Sequence, residues 1–255
     1  MKVSVDGVEF RYKSASVLEG ITLELDGAGL TSIIGPNGVG KTTFLHCINR
    51  LLTPSSGAIL VDDVDVKEYK TRDLAKVVGY VPYSGSKGFP LTVLDTVVMG
   101  RHPYSTIRST KKDVQAAYET LDMLEISEFA LRPFSDLSAG QRQKVMLARG
   151  IVQEPRILLL DEPTANLDIK HQMEVTKILL DLSRSKDMNI IMVSHDLNIA
   201  AKYSDRVVMM HQGKIFRVGT PAEVITSENL RTVYDVEAEI TEHCGRPYVL
   251  LNGPL

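Results

Sequence analysis

Residues 31–47 read T-S-I-I-G-P-N-G-V-G-K-T-T-F-L-H-C, and this stretch decides the fold. Ser32, Ile33 and Ile34 predict a short apolar strand. Gly35-Pro36-Asn37-Gly38-Val39-Gly40-Lys41-Thr42 fits the pattern G-x-x-x-x-G-K-[ST], a phosphate-binding loop. Phe44, Leu45, Ile48, Leu51 and Leu52 follow at helical spacing. Strand, glycine-rich loop and helix in that order are the framework such a loop requires.

The chemistry explains the spelling. A polyphosphate needs many donors close together, and backbone N–H groups supply them where no Cβ blocks the approach. A helix starting near Gly40 aims its N-terminal amides, including that of Thr43, and the positive end of its dipole at the same phosphates. Lys41 adds a mobile charge for the β- and γ-phosphates, and the Thr42 hydroxyl is placed to ligate Mg²⁺.

The chain has 255 residues, enough for a substantial core. Lys and Arg total 29 against 32 Asp and Glu, a net charge of −3, so composition carries no footprint for nucleic acid. Its two cysteines, Cys47 and Cys244, lie far apart without metal-ligand spacing, which argues for a reducing interior. Cys47 reads as a buried small apolar residue. No apolar run is long enough to span a bilayer, and M-K-V-S-V-D lacks a signal-peptide core, so the chain is expected to be soluble by itself.

Residues 3–12 alternate as V-S-V-D-G-V-E-F-R-Y, and 17–25 also read as strand, together an antiparallel pair. Tyr12, at its end, offers a π-face on which a purine can stack. Strands are expected at 58–66 and 77–81, and a mobile loop at 82–90, P-Y-S-G-S-K-G-F-P. Helical patterns follow at 93–99, at 112–124 and from Ser127. Ser138 is a good N-cap for a helix running towards Val152, with Pro155 beyond its end. Residues 156–161, R-I-L-L-L-D, read as a central parallel strand, 168–182 as helix, and 189–193 as another buried strand. Strands at 206–210 and 214–218, a helix from Pro221 and a mixed tail complete the chain. Alternating strands and helices predict an α/β core with a parallel sheet. Functional residues then belong at the carboxyl ends of strands, where Lys41, Asp161 and His195 fall.

Asp161 suits a second contact to Mg²⁺, directly or through water. Glu162 is the candidate general base for an attacking water. His195 is a candidate to contact the γ-phosphate or to hold the water–glutamate pair.

The ordered set of motifs resembles the nucleotide-binding subunits of ATP-binding cassette (ABC) transporters over nearly the whole chain. Residues 35–42 look like their Walker A, L-S-A-G-Q (Leu137 to Gln141) like their signature motif, and I-L-L-L-D-E-P like Walker B. T-A-N-L-D, ending in Asp168, looks like their D-loop, His195 like their switch histidine, and Tyr12 falls where they keep an adenine-stacking aromatic. The resemblance implies a P-loop NTPase core with a mainly parallel sheet, an N-terminal antiparallel β subdomain and a helical subdomain near 91–138. All of this forms one domain over 1–255, with 221–255 as a C-terminal extension. It implies ATP and Mg²⁺ as cofactors and a head-to-tail homodimer. In that dimer Ser138, Ala139, Gly140, Gln141 and Asp168 face the nucleotide on the other copy. Further implied partners are transmembrane permease subunits and, indirectly, a substrate-binding protein, with the chain at the cytoplasmic face of the membrane.

A closer resemblance is to the ATPases of importers for iron–siderophore complexes, haem and cobalamin. It is carried by T-V-L-D-T-V-V-M-G-R-H-P-Y (92–104), L-D-I-K-H-Q-M-E-V (167–175) and G-R-P-Y-V (245–249). Two positions depart from the family. Ala139 stands where a second glycine is usual and is tolerated only if its backbone is helical. Tyr83 stands where a glutamine is usual, and a phenol is a poorer Mg²⁺ ligand than a carboxamide oxygen. The rival reading is a soluble ABC-type ATPase of iron–sulfur assembly or DNA repair. The DNA-linked members carry long coiled coils, and no sustained heptads occur here.

Overall fold

β3 (Gly29–Ile34) is buried from Leu30 onward because it runs through the middle of the main sheet. The computed structural model describes residues 1–83, 91–104, 109–165 and 167–255. Residues 84–90 of the expected mobile loop, and Asn166 of T-A-N-L-D, lie outside them. β3 pairs in parallel with β8 (Asn189–Val193) on one side and β9 (Arg206–His211) on the other. Beyond β8 come β7 (Ile157–Asp161) and β6 (Val78–Val81), both parallel. β10 (Lys214–Gly219) closes the far edge antiparallel to β9. The order is β10-β9-β3-β8-β7-β6.

β7 up to Asp161 and β8 after Asn189 are apolar because both their faces are covered. Leu158, Leu160, Ile190 and Met192 pack into a core with α5 (Ala139–Ile151) and α6 (Ile169–Ser185). Ile157, Leu159, Ile191 and Val193 point the other way, onto Phe44, Leu45 and Ile48 of α1 (Lys41–Ile48). This two-sided burial turns the alternating pattern of a strand into a continuous apolar run.

α1 is itself covered by an antiparallel sheet of β1 (Val3–Tyr12), β2 (Ala15–Leu25), β4 (Ser56–Val61) and β5 (Val64–Asp65), in the order β2-β1-β4-β5. α2 (Thr71–Val77) leads into β6. A lobe of α3 (Val93–Val98), α4 (Lys111–Met123) and the outer face of α5 is pinned by Arg101. Its Nε meets Asp113 at 3.2 Å, and its Nη1 donates to the Val152 carbonyl at 2.9 Å. α7 (Leu197–Tyr203) precedes β9. After β10, α8 (Pro221–Val224), α9 (Ser227–Tyr234) and the hairpin of β11 (Val236–His243) and β12 (Arg246–Pro254) form a third core against Ile34, Val207 and Met209.

Four local expectations need correction. The helix after the phosphate loop stops at Ile48, and Leu51 is 63% exposed outside it. Asn49 caps the end and its Oδ1 accepts the Leu51 N–H, which turns the chain away. Residues 58–66 are two strands, not one, because Asp62 and Asp63 both take positive φ and make a two-residue hairpin turn. The segment from Ser127 is a single 3-10 turn, Ser127–Phe129. α2 and α7, seven residues each, were not expected.

Candidate active site

The phosphate loop is shaped by its neighbours. Gly35 leaves β3 at φ 148°, and a Cβ there would lie 2.3 Å from the Met210 carbonyl oxygen of β9. Gly40 sits at φ 100°, and its Cβ would meet the Val17 carbonyl at 2.9 Å and Leu18 Cδ2 at 2.8 Å on β2. Both glycines are required by space as well as by conformation. The same β2 approach brings the β1–β2 hairpin end towards the loop. Tyr12, 49% exposed, stands there opposite Ala15 with its ring edge-on to Phe10.

Lys41 is buried, and its Nζ donates to the carbonyls of Gly35 and Pro36, both at 2.8 Å. It therefore spans the loop it belongs to. Burial lowers its pKa, and the carboxylates of Glu162 and Asp161 oppose that shift. The Thr42 hydroxyl donates to Asp161 Oδ1 at 2.9 Å. Asp161 ends β7 and is buried. Desolvation pushes its carboxyl above the ordinary value, against the Thr42 hydrogen bond and the charges of His46 and Lys41. His46 Nε2 and the Tyr80 hydroxyl lie 2.8 Å apart, behind this carboxylate, and burial pushes the Tyr80 phenol up to about 12.

Sheet register brings the remaining pair together. Asp161 lies opposite Val193, so the chain leaves β7 and β8 side by side. Glu162, at φ 50°, turns its carboxylate so that Oε1 lies 2.5 Å from His195 Nε2. Ser194 and Asp196 fix the backbone around His195: Ser194 Oγ donates to the Asp196 carbonyl, and Asp196 caps α7.

These residues fit a bound Mg²⁺. A hydroxyl and a buried, desolvated carboxylate 2.9 Å apart are hard oxygen donors. No group of three or more His, Cys, Asp or Glu residues placed to hold a metal occurs among the described residues. Mg²⁺ does not need one, because one or two protein oxygens plus phosphate oxygens and water are its usual shell.

The second set of site residues is elsewhere. Ser138 caps α5 in a reciprocal box: its Oγ accepts the Gln141 N–H at 3.3 Å, and its own N–H donates to Gln141 Oε1 at 2.9 Å. Ser138 and Ala139 are exposed. Ala139 is the first helical residue and has no positive φ, which meets the condition set for replacing glycine there. Asp168 caps α6 and accepts both the N–H and Nδ1 of His171. Among the described residues, no hydrogen bond or ion pair joins the Ser138–Gln141 turn or Asp168 to the phosphate loop. The structure thus assembles Gly35–Thr43, Asp161, Glu162 and His195 into one site and leaves Ser138–Gln141 and Asp168 outside it. Sequence reasoning missed His46 and Tyr80 behind Asp161, and His171 beside Gly140.

A family model described as ABC transporter matches residues 18–165, more than half of the chain. The chain belongs to the ABC transporter family. As an ABC ATPase it binds and hydrolyses ATP. It is 46% identical over 253 residues to an uncharacterised ABC transporter ATP-binding protein of Methanocaldococcus jannaschii, covering 99% of both chains. It is 34% identical over 246 residues to the ferric enterobactin transport ATP-binding protein FepC of Escherichia coli, covering 95% of this chain and 91% of that one. Its fold matches a metal-chelate type ABC transporter in an inward-facing conformation, with a TM-score of 0.85 at 28% identity, covering 99% of this chain and 97% of the other. The mostly parallel sheet, the antiparallel β sheet and the helices are those of ABC ATPases.

Proposed function

We propose that this chain powers the uptake of a metal chelate, of the iron–siderophore, haem or cobalamin kind. Two copies would sandwich ATP and dock on transmembrane permease subunits at the cytoplasmic face of the membrane, fed indirectly by a substrate-binding protein. What supports the two-copy reading is that Lys41, Thr42, Asp161, Glu162 and His195 are engaged around the phosphate loop while the start of α5 at Ser138 and Ala139 is exposed.

In this reading the amides of the 35–43 loop and Lys41 hold the β- and γ-phosphates, and Tyr12 stacks on the adenine. Thr42 and Asp161 would hold Mg²⁺, which would supply positive charge against the phosphates. Glu162 takes the proton of the attacking water while the new bond to the γ-phosphorus forms and the bond to ADP breaks. His195 fixes the Glu162 carboxylate through their 2.5 Å contact. Ser138, Ala139, Gly140, Gln141 and Asp168 complete the pocket of the other copy. The N-terminus of α5 then presents its dipole to that γ-phosphate.

The importer reading draws support from the relative named for ferric enterobactin transport and from the metal-chelate type transporter that shares the fold. No helix among the described residues is long and apolar enough to cross a membrane. The test is purification of the tagged chain from detergent-solubilised membranes of its source cells. Two copies with a polytopic membrane protein are expected. Recovery with soluble iron–sulfur assembly proteins instead would overturn the reading.

A further inference from the structure

α5 and α6 meet where the Ser138 turn and Asp168 come together. Gly140 lies in the first turn of α5 and is buried. Its φ is not positive, so conformation alone does not ask for glycine. Space does. A Cβ at residue 140 would sit 2.7 Å from Cδ2, 3.0 Å from Cγ and 3.1 Å from Nε2 of His171. The imidazole thus lies directly against the Gly140 α-carbon.

The other side of the ring is also held. His171 stands in the first turn of α6, and its backbone N–H donates to Asp168 Oδ1 at 2.9 Å. Nδ1 lies 2.8 Å from the same oxygen. A carboxylate only accepts, so Nδ1 carries the proton in this contact. These two bonds, the backbone one first, hold the Asp168 carboxyl below its ordinary value. About one turn further along both helices, Lys144 Nζ of α5 meets Glu174 Oε2 of α6 at 3.2 Å. Gly140 and Lys144 are four residues apart and His171 and Glu174 three, so each pair lies on one helix face.

We propose that His171 is a positioning residue that locks the Ser138–Gln141 turn to Asp168, so that the two reach the second copy's nucleotide as one unit. The inference rests on the composite site proposed above. It explains why the ring is clamped between a carboxylate and a bare α-carbon. It also assigns work to a side chain that touches neither the phosphate loop nor, in this arrangement, the reacting atoms. A shift of the turn relative to Asp168 would misplace donors at the far side of the partner's phosphate, where an ångström is costly.

The test uses the full chain carrying Glu162→Gln, with Mg-ATP, and reads the dimerisation constant beside the nucleotide affinity of the monomer. Adding His171→Ala should weaken dimerisation about 10- to 100-fold and leave monomer affinity within about twofold. His171→Asn, whose amide can donate to Asp168, should recover part of the loss. Gly140→Ala should weaken dimerisation with His171 present, yet add nothing to His171→Ala, because the ring that its methyl would strike is gone. Ser138→Arg is the reference. If it dimerises normally, the composite site is refuted and His171 has nothing to position. If Ser138→Arg blocks dimerisation while His171→Ala does not, the inference alone falls. Equal loss in the Ala and Asn variants, together with lowered thermal stability and monomer affinity, would show ordinary packing and overturn it too.

Discussion

The two halves of the site differ in what they have to bind. Around the phosphate loop, the cation and the carboxylates singled out above are already engaged within the chain. Lys41 bridges the Gly35 and Pro36 carbonyls, Thr42 holds Asp161, and Glu162 meets His195. At the start of α5, the Ser138–Gln141 box closes on itself and faces solvent. The first half is an anion site with its cation and carboxylates arranged in advance. The second is an exposed helix N-terminus that, among the described residues, has no hydrogen bond or ion pair to the phosphate loop. On the function proposed above, a residue of the first half acts on chemistry in one copy, and a residue of the second acts only when two copies meet.

The largest effect expected from this contrast is at Glu162. Removing the base should lower steady-state phosphate release by about 10²–10⁴-fold, while equilibrium nucleotide binding persists because Lys41, Thr42 and the loop amides are untouched. A Glu162→Gln protein that still turns over at the parent rate would take the base out of this position.

Tyr83 sharpens the same half. It follows β6 and is 46% exposed, with a phenol where the family resemblance implies a carboxamide. Tyr83→Gln should raise phosphate release from the isolated protein, by roughly tenfold at most, the lower end of what outer contacts to a metal contribute. The comparison is made at saturating Mg-ATP and matched dimer fraction. Equal or lower activity would remove the missing-ligand account and favour a contact to a partner subunit.

The smallest effect contrasts the core beneath the loop with the tail. Cys47 is buried on α1, and desolvation pushes its thiol up to about 12. Cys244 is exposed at the β11–β12 turn. At pH 8 a thiol with pKa near 12 is only ~10⁻⁴ thiolate, so a thiol reagent should count one cysteine in the native protein and two in denaturant. The folded state holds the Cys47 proton more tightly than the unfolded chain, whose thiol value is about 8.5. This contribution to stability is therefore full below that pH and is lost as pH rises towards about 12. Cys47→Ala, compared with the parent across that window, isolates it. Two fast-reacting native thiols would contradict the packing described for α1.

Much of this was legible because single residues carried the signal. I-L-L-L-D revealed a strand buried on both faces and ended on the carboxylate that the Thr42 hydroxyl meets. Ser138 read as an N-cap, and it caps α5, with Gln141 closing the reciprocal box. Asp62 and Asp63 hid a turn because neither is glycine, although both take positive φ. The tail hairpin was unreadable because a register shift between Glu237 and Ala238 breaks the alternation, and apolar Tyr248, Leu250 and Leu251 stand exposed on β12. His171 was invisible for a different reason. Its partner Gly140 lies on another helix, and nothing in the local pattern of either helix announces a contact made only in three dimensions.

The central claim is that the Ser138 turn serves the other copy's nucleotide. Light scattering of Glu162→Gln with Mg-ATP, with and without Ser138→Arg, tests it most directly. The single variant should form a dimer when ATP is added. The double variant should remain a monomer, with nucleotide affinity close to that of the single variant, because the arginine adds bulk and misplaced charge only at the face that meets the second copy. A double variant that dimerises as readily as the single one, or one that loses nucleotide affinity as a monomer, would contradict the account.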